Sequence, residues 1–190
     1  MFTAHDIARF FIERASAEAD ESDLSNLKLQ KLCYYAQGFA LAITGRPLFG
    51  EDLEAWREGP VVRDIYRTYR QFGSRVITEA QAGVPITDEA TVELLEAVYG
   101  HYGQFSPWAL RNKTHQEPPW REARPTESAL RQETMATFFR TQLRLLDDPV
   151  EAEREMLAAL LKGHQGLVEG TRRGRADIAA GRYRPLSAYS

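Results

Sequence analysis

The stretch Asn26–Gly45, NLKLQKLCYYAQGFALAITG, decides the fold of this chain. From Leu32 to Ile43 the only plainly polar residue is Gln37. A helix that is apolar on all sides is buried inside a protein, and this run of 12 residues is shorter than the roughly 20 that span a membrane. The stretch therefore predicts a central helix in a helical domain, with Leu32, Gln37 and Phe39 in its structural core.

The two ends of this helix differ in polarity. The first half carries Lys28, Lys31 and the hydroxyl of Tyr35, so we expect one solvated end and one fully buried end. Ser25 or the residue after it can cap the start, because its side chain accepts a hydrogen bond from a free backbone N–H. Gly45 stands where a left-handed residue ends a helix.

Composition limits the classes to which the protein can belong. The chain has 190 residues, 43% of them hydrophobic and 27% charged, which are globular values. Its net charge of −3 makes nucleic acid an unlikely partner, since general nucleic-acid-binding proteins are basic. One cysteine, Cys33, fits a reducing compartment, and no signal-peptide pattern follows Met1. We expect a cytoplasmic protein without a membrane partner.

Local signals predict the other elements in chain order. A capping box at Thr3 starts a helix that runs to about Ala17. Leu53–Trp56 is expected to be short and extended. Gly59 and Pro60 are expected to break the chain and start a helix. The expected apolar face of that helix comprises Val62, Ile65, Tyr66 and Tyr69.

The second half of the chain gives further helix starts. Thr87 and the pair Ser106-Pro107 each predict one. Residues 76–77 could form a short edge strand, and residues 114–125 are predicted to form a proline-rich loop. A last helix of the domain is predicted from Glu127 or Gln132 to about Leu146, with inward-facing side chains at Met135, Phe138, Phe139, Leu143 and Leu146.

Asp147-Asp148-Pro149 marks a domain boundary, with acidic residues before a proline. We therefore expect a domain at residues 1–147, followed by a C-terminal helix and tail at 148–190. The tail is basic and rich in glycine, a composition typical of segments that order on a partner. The predicted fold class is all-α: a compact multi-helix domain around a buried central helix, with a partly flexible tail.

Three motifs together resemble a known family. NLKLQKLCYYAQGFAL at 26–41, LEAWREGPVV at 53–62 and KTHQEPPW at 113–120 resemble the Panacea domain over residues 3–147. The resemblance implies a non-enzymatic antitoxin of a type II toxin–antitoxin pair that needs no cofactor. The implied partner is a cognate protein toxin. In the SocA-type branch the antitoxin delivers its toxin to the ClpXP protease, and the residues leave occlusion and delivery both open.

Two regions are candidate toxin-binding surfaces. In the domain, lysines steer association and aromatic side chains anchor it; the candidates are Lys28, Lys31, Tyr35 and Trp56. In the tail, isolated apolar side chains with arginines beside them could fold onto an acidic groove; the candidates there are Ile178, Arg182, Tyr183, Arg184 and Leu186.

Two rival functions remain open from the residues. His115 and Glu117 could share a proton in an enzyme, although no metalloprotease spacing accompanies them. The structural alternative is that His115 donates to a backbone carbonyl while Trp120 fills the core. Second, the stripe Arg63, Arg67 and Arg70 could contact DNA in an autorepressor.

Overall fold

The computed structural model describes residues 1–18 and 23–147, with side chains to residue 143. Met1–Leu143 form one compact unit. In chain order the α-helices and strands of the described residues are α1 (Ala4–Ser16), α2 (Asn26–Thr44), β1 (Leu53–Trp56), β2 (Gly59–Val62), α3 (Arg63–Tyr69), α4 (Glu89–Tyr102), α5 (Pro107–Thr114), α6 (Pro118–Ala123) and α7 (Gln132–Asp147). The fold is mostly helical, and a two-stranded sheet corrects the strictly all-α prediction.

Helix α2 is the centre of this unit. It contacts α1, α3, α4, α5 and β2. Ser25 caps its start by accepting a hydrogen bond from the Lys28 N–H. Gly45 ends it in a left-handed conformation with φ 69°. Leu32 is fully buried, so the predicted central helix and both of its boundaries are confirmed.

The predicted polarity of α2 is wrong at both ends. Lys28 and Lys31 are only 3% and 0% exposed, whereas Ile43 at the other end is 59% exposed. The lysines can be buried because each ammonium group finds acceptors. Lys28 donates to the Gly103 carbonyl and pairs with Asp23, and Lys31 donates to a backbone carbonyl of the sheet.

Gly59 and Pro60 lie in a strand instead of starting a helix. β1 and β2 pair antiparallel with Leu53 opposite Val62 and Trp56 opposite Gly59. Gly59 has φ 103°, which an L side chain rarely adopts, so it fits the tight turn between the strands. Helix α3 begins only at Arg63; Val62 is therefore not on its face, and Tyr66 is 39% exposed.

Both edges of this hairpin are covered. On the β2 side, Lys31 Nζ donates to the Pro60 carbonyl at 3.0 Å, and the Val62 N–H donates to Gln30 Oε1 at 2.8 Å. On the β1 side, backbone hydrogen bonds join Ala55 to Ser128 at 3.0 Å and Leu130 to Leu53 at 2.7 Å. Helix α2 and the segment before α7 thus occupy the backbone groups through which another strand could pair.

Two weaker predictions also fail. Residues 76–77 form no strand; the Ile77 N–H donates to the Leu24 carbonyl at 2.9 Å, and Ile77 is buried. Inside the predicted loop lies α6, because Pro118 and Pro119 stand in the first turn of a helix, where proline's missing N–H costs nothing.

Helix α7 closes the core over α2. Met135 and Phe139 are buried, while Phe138 and Leu143 are half-buried. A Cβ at Gly38 would lie 2.1 Å from Cε2 of Phe139, so only glycine lets this ring reach the α2 backbone. The predicted inward-facing Leu146 has a side chain outside the described residues. No helix in the described part is long and apolar enough to cross a bilayer.

Candidate functional site

A groove of about 650 Å³ opens between the start of α2, the hairpin, α3 and the start of α5. Its apolar lining includes Leu27, Val61, Pro107 and the aromatic side chains of Trp56, Tyr66 and Trp108. Trp108 is 62% exposed. Three aromatic side chains thus gather on one accessible face from three separate elements.

The aromatic wall is held by defined contacts. Trp56 and Tyr66 meet edge to face with ring centroids 4.9 Å apart, a favoured arrangement for aromatic pairs. Trp56 Nε1 donates to Glu54 Oε2 at 2.7 Å, and Arg63 donates to the same oxygen at 2.7 Å. The indole is therefore fixed before any partner arrives, which lowers the entropy lost on binding.

The rim of the groove is positively charged. Arg57 has a side chain that is 87% exposed and lies 3.5 Å from Glu58. Glu58 is also engaged by Arg111, whose Nε donates to it at 2.9 Å. Arg70 is exposed and has no acidic partner among the described residues. The groove lining thus contains two arginines and one glutamate, and Arg111 of α5 already binds the carboxylate of that glutamate.

A second aromatic layer supports the hairpin from behind. Trp120 Nε1 donates to the Trp56 carbonyl at 2.9 Å, and the His115 ring stacks on Trp120 at 3.9 Å and 12°. The hydrogen bond to a backbone carbonyl expected from His115 is made by Trp120 instead. His115 Nε2 is buried and has no hydrogen-bond partner among the described residues. Burial lowers the pKa of His115, with a further contribution from Arg111.

Of the domain residues predicted to contact a partner, only Trp56 lines the groove. Lys28, Lys31 and Tyr35 are buried, which corrects the expected surface position. Burial lowers the pKa of Lys31 to about 7. Tyr35 stacks on Tyr102 with ring centroids 3.7 Å apart. These three side chains hold α2 against its neighbours.

The predicted structural residues Gln37, Phe39 and Gly59 serve the core or its turns. Gln37 Nε2 donates to the Phe49 carbonyl at 2.9 Å, and its Oε1 accepts from the Leu48 and Phe49 N–H groups at 2.8 and 3.2 Å. Phe39 is 7% exposed. The buried amide of Gln37 thus ties the turn after α2 back to the helix.

His115 and Glu117 do not form a shared site. Glu117 is 6% exposed and accepts a hydrogen bond from the Tyr35 hydroxyl at 3.0 Å. Burial raises the pKa of Glu117 to about 7, against the opposing effects of the Tyr34 hydroxyl, Lys113 and Tyr35. No hydrogen bond joins the two side chains in the described part, nor does that part contain a cluster of three potential metal ligands.

Two sets of residues remain: the predicted tail candidates, and groove residues that the sequence did not predict. The tail candidates Ile178, Arg182, Tyr183, Arg184 and Leu186 lie outside the described residues. Sequence reasoning missed Tyr66 and Trp108 as groove residues. Helical spacing could have predicted their exposure. Ile65 and Tyr69 define the buried face of α3, and Tyr66 lies one position away from that face. In α5, Leu110 and Thr114 are buried four residues apart, which leaves Trp108 outward.

Comparisons with known proteins agree on one family. Residues 29–121 match the family described as "Antitoxin SocA-like, Panacea domain". Over 74 residues the chain is 39% identical to "Antitoxin SocA" of Caulobacter vibrioides (strain NA1000 / CB15N), covering 39% of this chain and 38% of that protein. No solved structure matches significantly. Trp56, Tyr66 and Trp108 all fall within the matched residues, and residues 29–121 of this chain form a SocA-like Panacea domain.

Proposed function

We propose that this protein is an antitoxin that binds a cognate protein toxin directly and so neutralises it in the cytoplasm. The observation that carries this proposal is the aromatic groove of Trp56, Tyr66 and Trp108 within the matched domain. Tryptophan, tyrosine and arginine dominate the energetics of protein–protein interfaces. A prepared, accessible cluster of these residues supports binding of a macromolecule.

The geometry supports protein binding better than either rival. In the arginine stripe, Arg63 is paired with Glu54 at 2.7 Å and Arg67 lies 3.9 Å from Asp64. These acidic partners, Glu54 of β1 and Asp64 of α3, neutralise two of the three arginines and would repel a phosphate backbone, so a DNA-binding autorepressor is disfavoured. The enzyme alternative needs a carboxylate that reaches substrate, whereas that of Glu117 is turned into the core.

The test is co-expression with the protein encoded beside this chain in its native locus. If the proposal holds, that protein arrests growth alone, growth returns with this chain, and the two co-purify. Growth arrest that persists despite folded, expressed antitoxin would contradict the proposal. The toxin's half-life in cells with and without ClpX separates occlusion from delivery: occlusion predicts equal half-lives, and delivery to ClpXP predicts a shorter one when ClpX is present.

The tail is a second proposed contact with the toxin. Deletion of residues 175–190 removes three of the tail arginines and its apolar anchors, so we expect toxin affinity to fall at least tenfold, about 1.4 kcal/mol. The stability of the domain should be unchanged, as measured by thermal unfolding. Full affinity after truncation would assign recognition to the groove alone.

A further inference from the structure

We infer that the groove takes an acidic segment of the partner that carries apolar side chains, and that it binds this segment through side chains and not by strand pairing. The inference rests on the proposed antitoxin function and adds the chemistry of the partner. It follows from three features of the described residues: the covered hairpin edges, the aromatic walls and the unbalanced charge.

The hairpin excludes one common recognition mode. A peptide that adds a strand needs free N–H and C=O groups along a sheet edge. At β2 these groups are bonded to Gln30 and Lys31, at 2.8 and 3.0 Å. At β1 they are bonded to residues 128–130. A partner in the groove must therefore be recognised by the side chains that line it.

The walls define where apolar partner side chains bind. Trp56 and Tyr66 form one wall from the hairpin and α3, and Trp108 extends from α5. A volume of about 650 Å³ accommodates several side chains. Trp108 is 62% exposed in the free protein, so covering it contributes hydrophobic free energy that only a partner can supply.

Charge complementarity defines the sign of the partner. Glu58 is shared by Arg111 at 2.9 Å and by Arg57 at 3.5 Å. Arg70 therefore stands at the rim without an acidic partner among the described residues, and the side chain of Arg57 is 87% exposed. Arginine binds carboxylates through paired hydrogen bonds. An aspartate or glutamate near the apolar anchors satisfies both the arginines and the aromatic walls, whereas a basic segment would be repelled.

The experiment titrates the purified protein encoded beside this chain against the full-length antitoxin. Trp108→Ala and Arg70→Glu alter the groove at exposed positions, so we expect both variants to fold as the wild type does. Ile43→Ala and Arg121→Glu are matched controls: Ile43 is equally exposed but lies about 24 Å along α2 from Leu27, and Arg121 is exposed on α6. We expect each groove variant to weaken affinity at least tenfold and each control to change it less than twofold.

Peptides tiled across that neighbouring protein then test the chemistry. We expect bound peptides to combine Asp or Glu with apolar residues and to lose affinity as salt rises. Replacing their acidic residues by lysine should abolish binding to the wild type and restore it to Arg70→Glu. Toxin that binds the groove variants as tightly as wild type, or captured peptides that are neutral or basic, would overturn the inference while the proposed function stands. No binding or neutralisation by the wild type would overturn both.

Discussion

Lys31 places its ammonium group 3.0 Å from the carbonyl oxygen of Pro60, 29 residues further along the chain, with no solvent exposure. A lysine is almost never fully buried unless it has a partner. Here it fixes the hairpin to the central helix, and the hairpin carries Trp56 to the groove. The site therefore depends on a buried titratable group.

Lys31→Met should change how stability depends on pH. Because the pKa of Lys31 is lowered to about 7 on folding from the usual 10.5, the unfolded chain binds more protons between these values. The wild type should therefore gain stability over Lys31→Met as pH rises from 7 to 8.5, by up to about 1.4 kcal/mol per pH unit. Urea unfolding at several pH values measures this, and the exposed control Arg121→Met should track the wild type. If the unfolding free energies of the wild type and Lys31→Met change with pH in parallel, the prediction is contradicted.

Glu117→Gln tests a dependence of folding stability on pH that has the opposite sign. The pKa of Glu117 is raised to about 7 from 4.5, so the folded protein holds a proton that the unfolded chain releases between these values. Wild-type stability should fall relative to Glu117→Gln as pH rises from 4.5 to 7, by roughly 3 kcal/mol in total. The amide can still accept from Tyr35. Chemical denaturation of the wild type and Glu117→Gln measures the difference in their unfolding free energies, with Glu93→Gln as an exposed control. A difference that stays constant from pH 4.5 to 7 would rule the prediction out.

Gly59→Ala should destabilise the fold more than Gly73→Ala. Both glycines have positive φ, 103° and 58°, but a Cβ at 59 would lie 2.7 Å from Lys31 Cε and 2.8 Å from Thr114 Oγ1. At 73 a Cβ would have no atom of the described residues within 4 Å beyond those of its chain neighbours. Strain and overpacking should cost about 3 kcal/mol or more at 59, against about 1–2 kcal/mol at 73. Equal losses in thermal unfolding would show that Lys31 moves aside freely.

Leu32→Ala should cost about 2–5 kcal/mol, because it leaves a cavity at the fully buried centre of α2. Ile43→Ala in the same helix removes a side chain that is 59% exposed and should cost less than about 0.5 kcal/mol. Guanidinium unfolding of both variants gives the comparison. Losses below 1 kcal/mol at Leu32 would be incompatible with a central helix.

His115→Gln should retain toxin neutralisation. The imidazole stacks on Trp120, so the expected loss is about 0.5–1.5 kcal/mol of stability from the ring pair. The growth-rescue assay gives the functional result, and near-UV dichroism confirms that Trp120 is still packed. A variant with a native spectrum that fails to neutralise would show that His115 acts in function.

The sequence by itself determined where most helices begin and end, because caps are local. Thr3 forms a capping box with Asp6, Ser25 and Gly45 bound α2, and Ser106 precedes the proline that opens α5. Each signal acts within about four residues of the chain. The apolar run after Leu32 placed α2 in the core for the same reason, since hydrophobic burial needs no specific partner.

Only the tertiary structure decided which polar groups are buried. Lys28 finds its acceptor at Gly103, 75 residues away, and without that acceptor the same lysine would belong on the surface. The β-strand at Gly59 depends in the same way on pairing with Trp56 and on the amide of Gln30. The groove unites Trp56, Tyr66 and Trp108 from three elements. Local pattern fixes the conformation of a segment, but burial of a charge and assembly of a surface depend on partners that only the folded chain brings together.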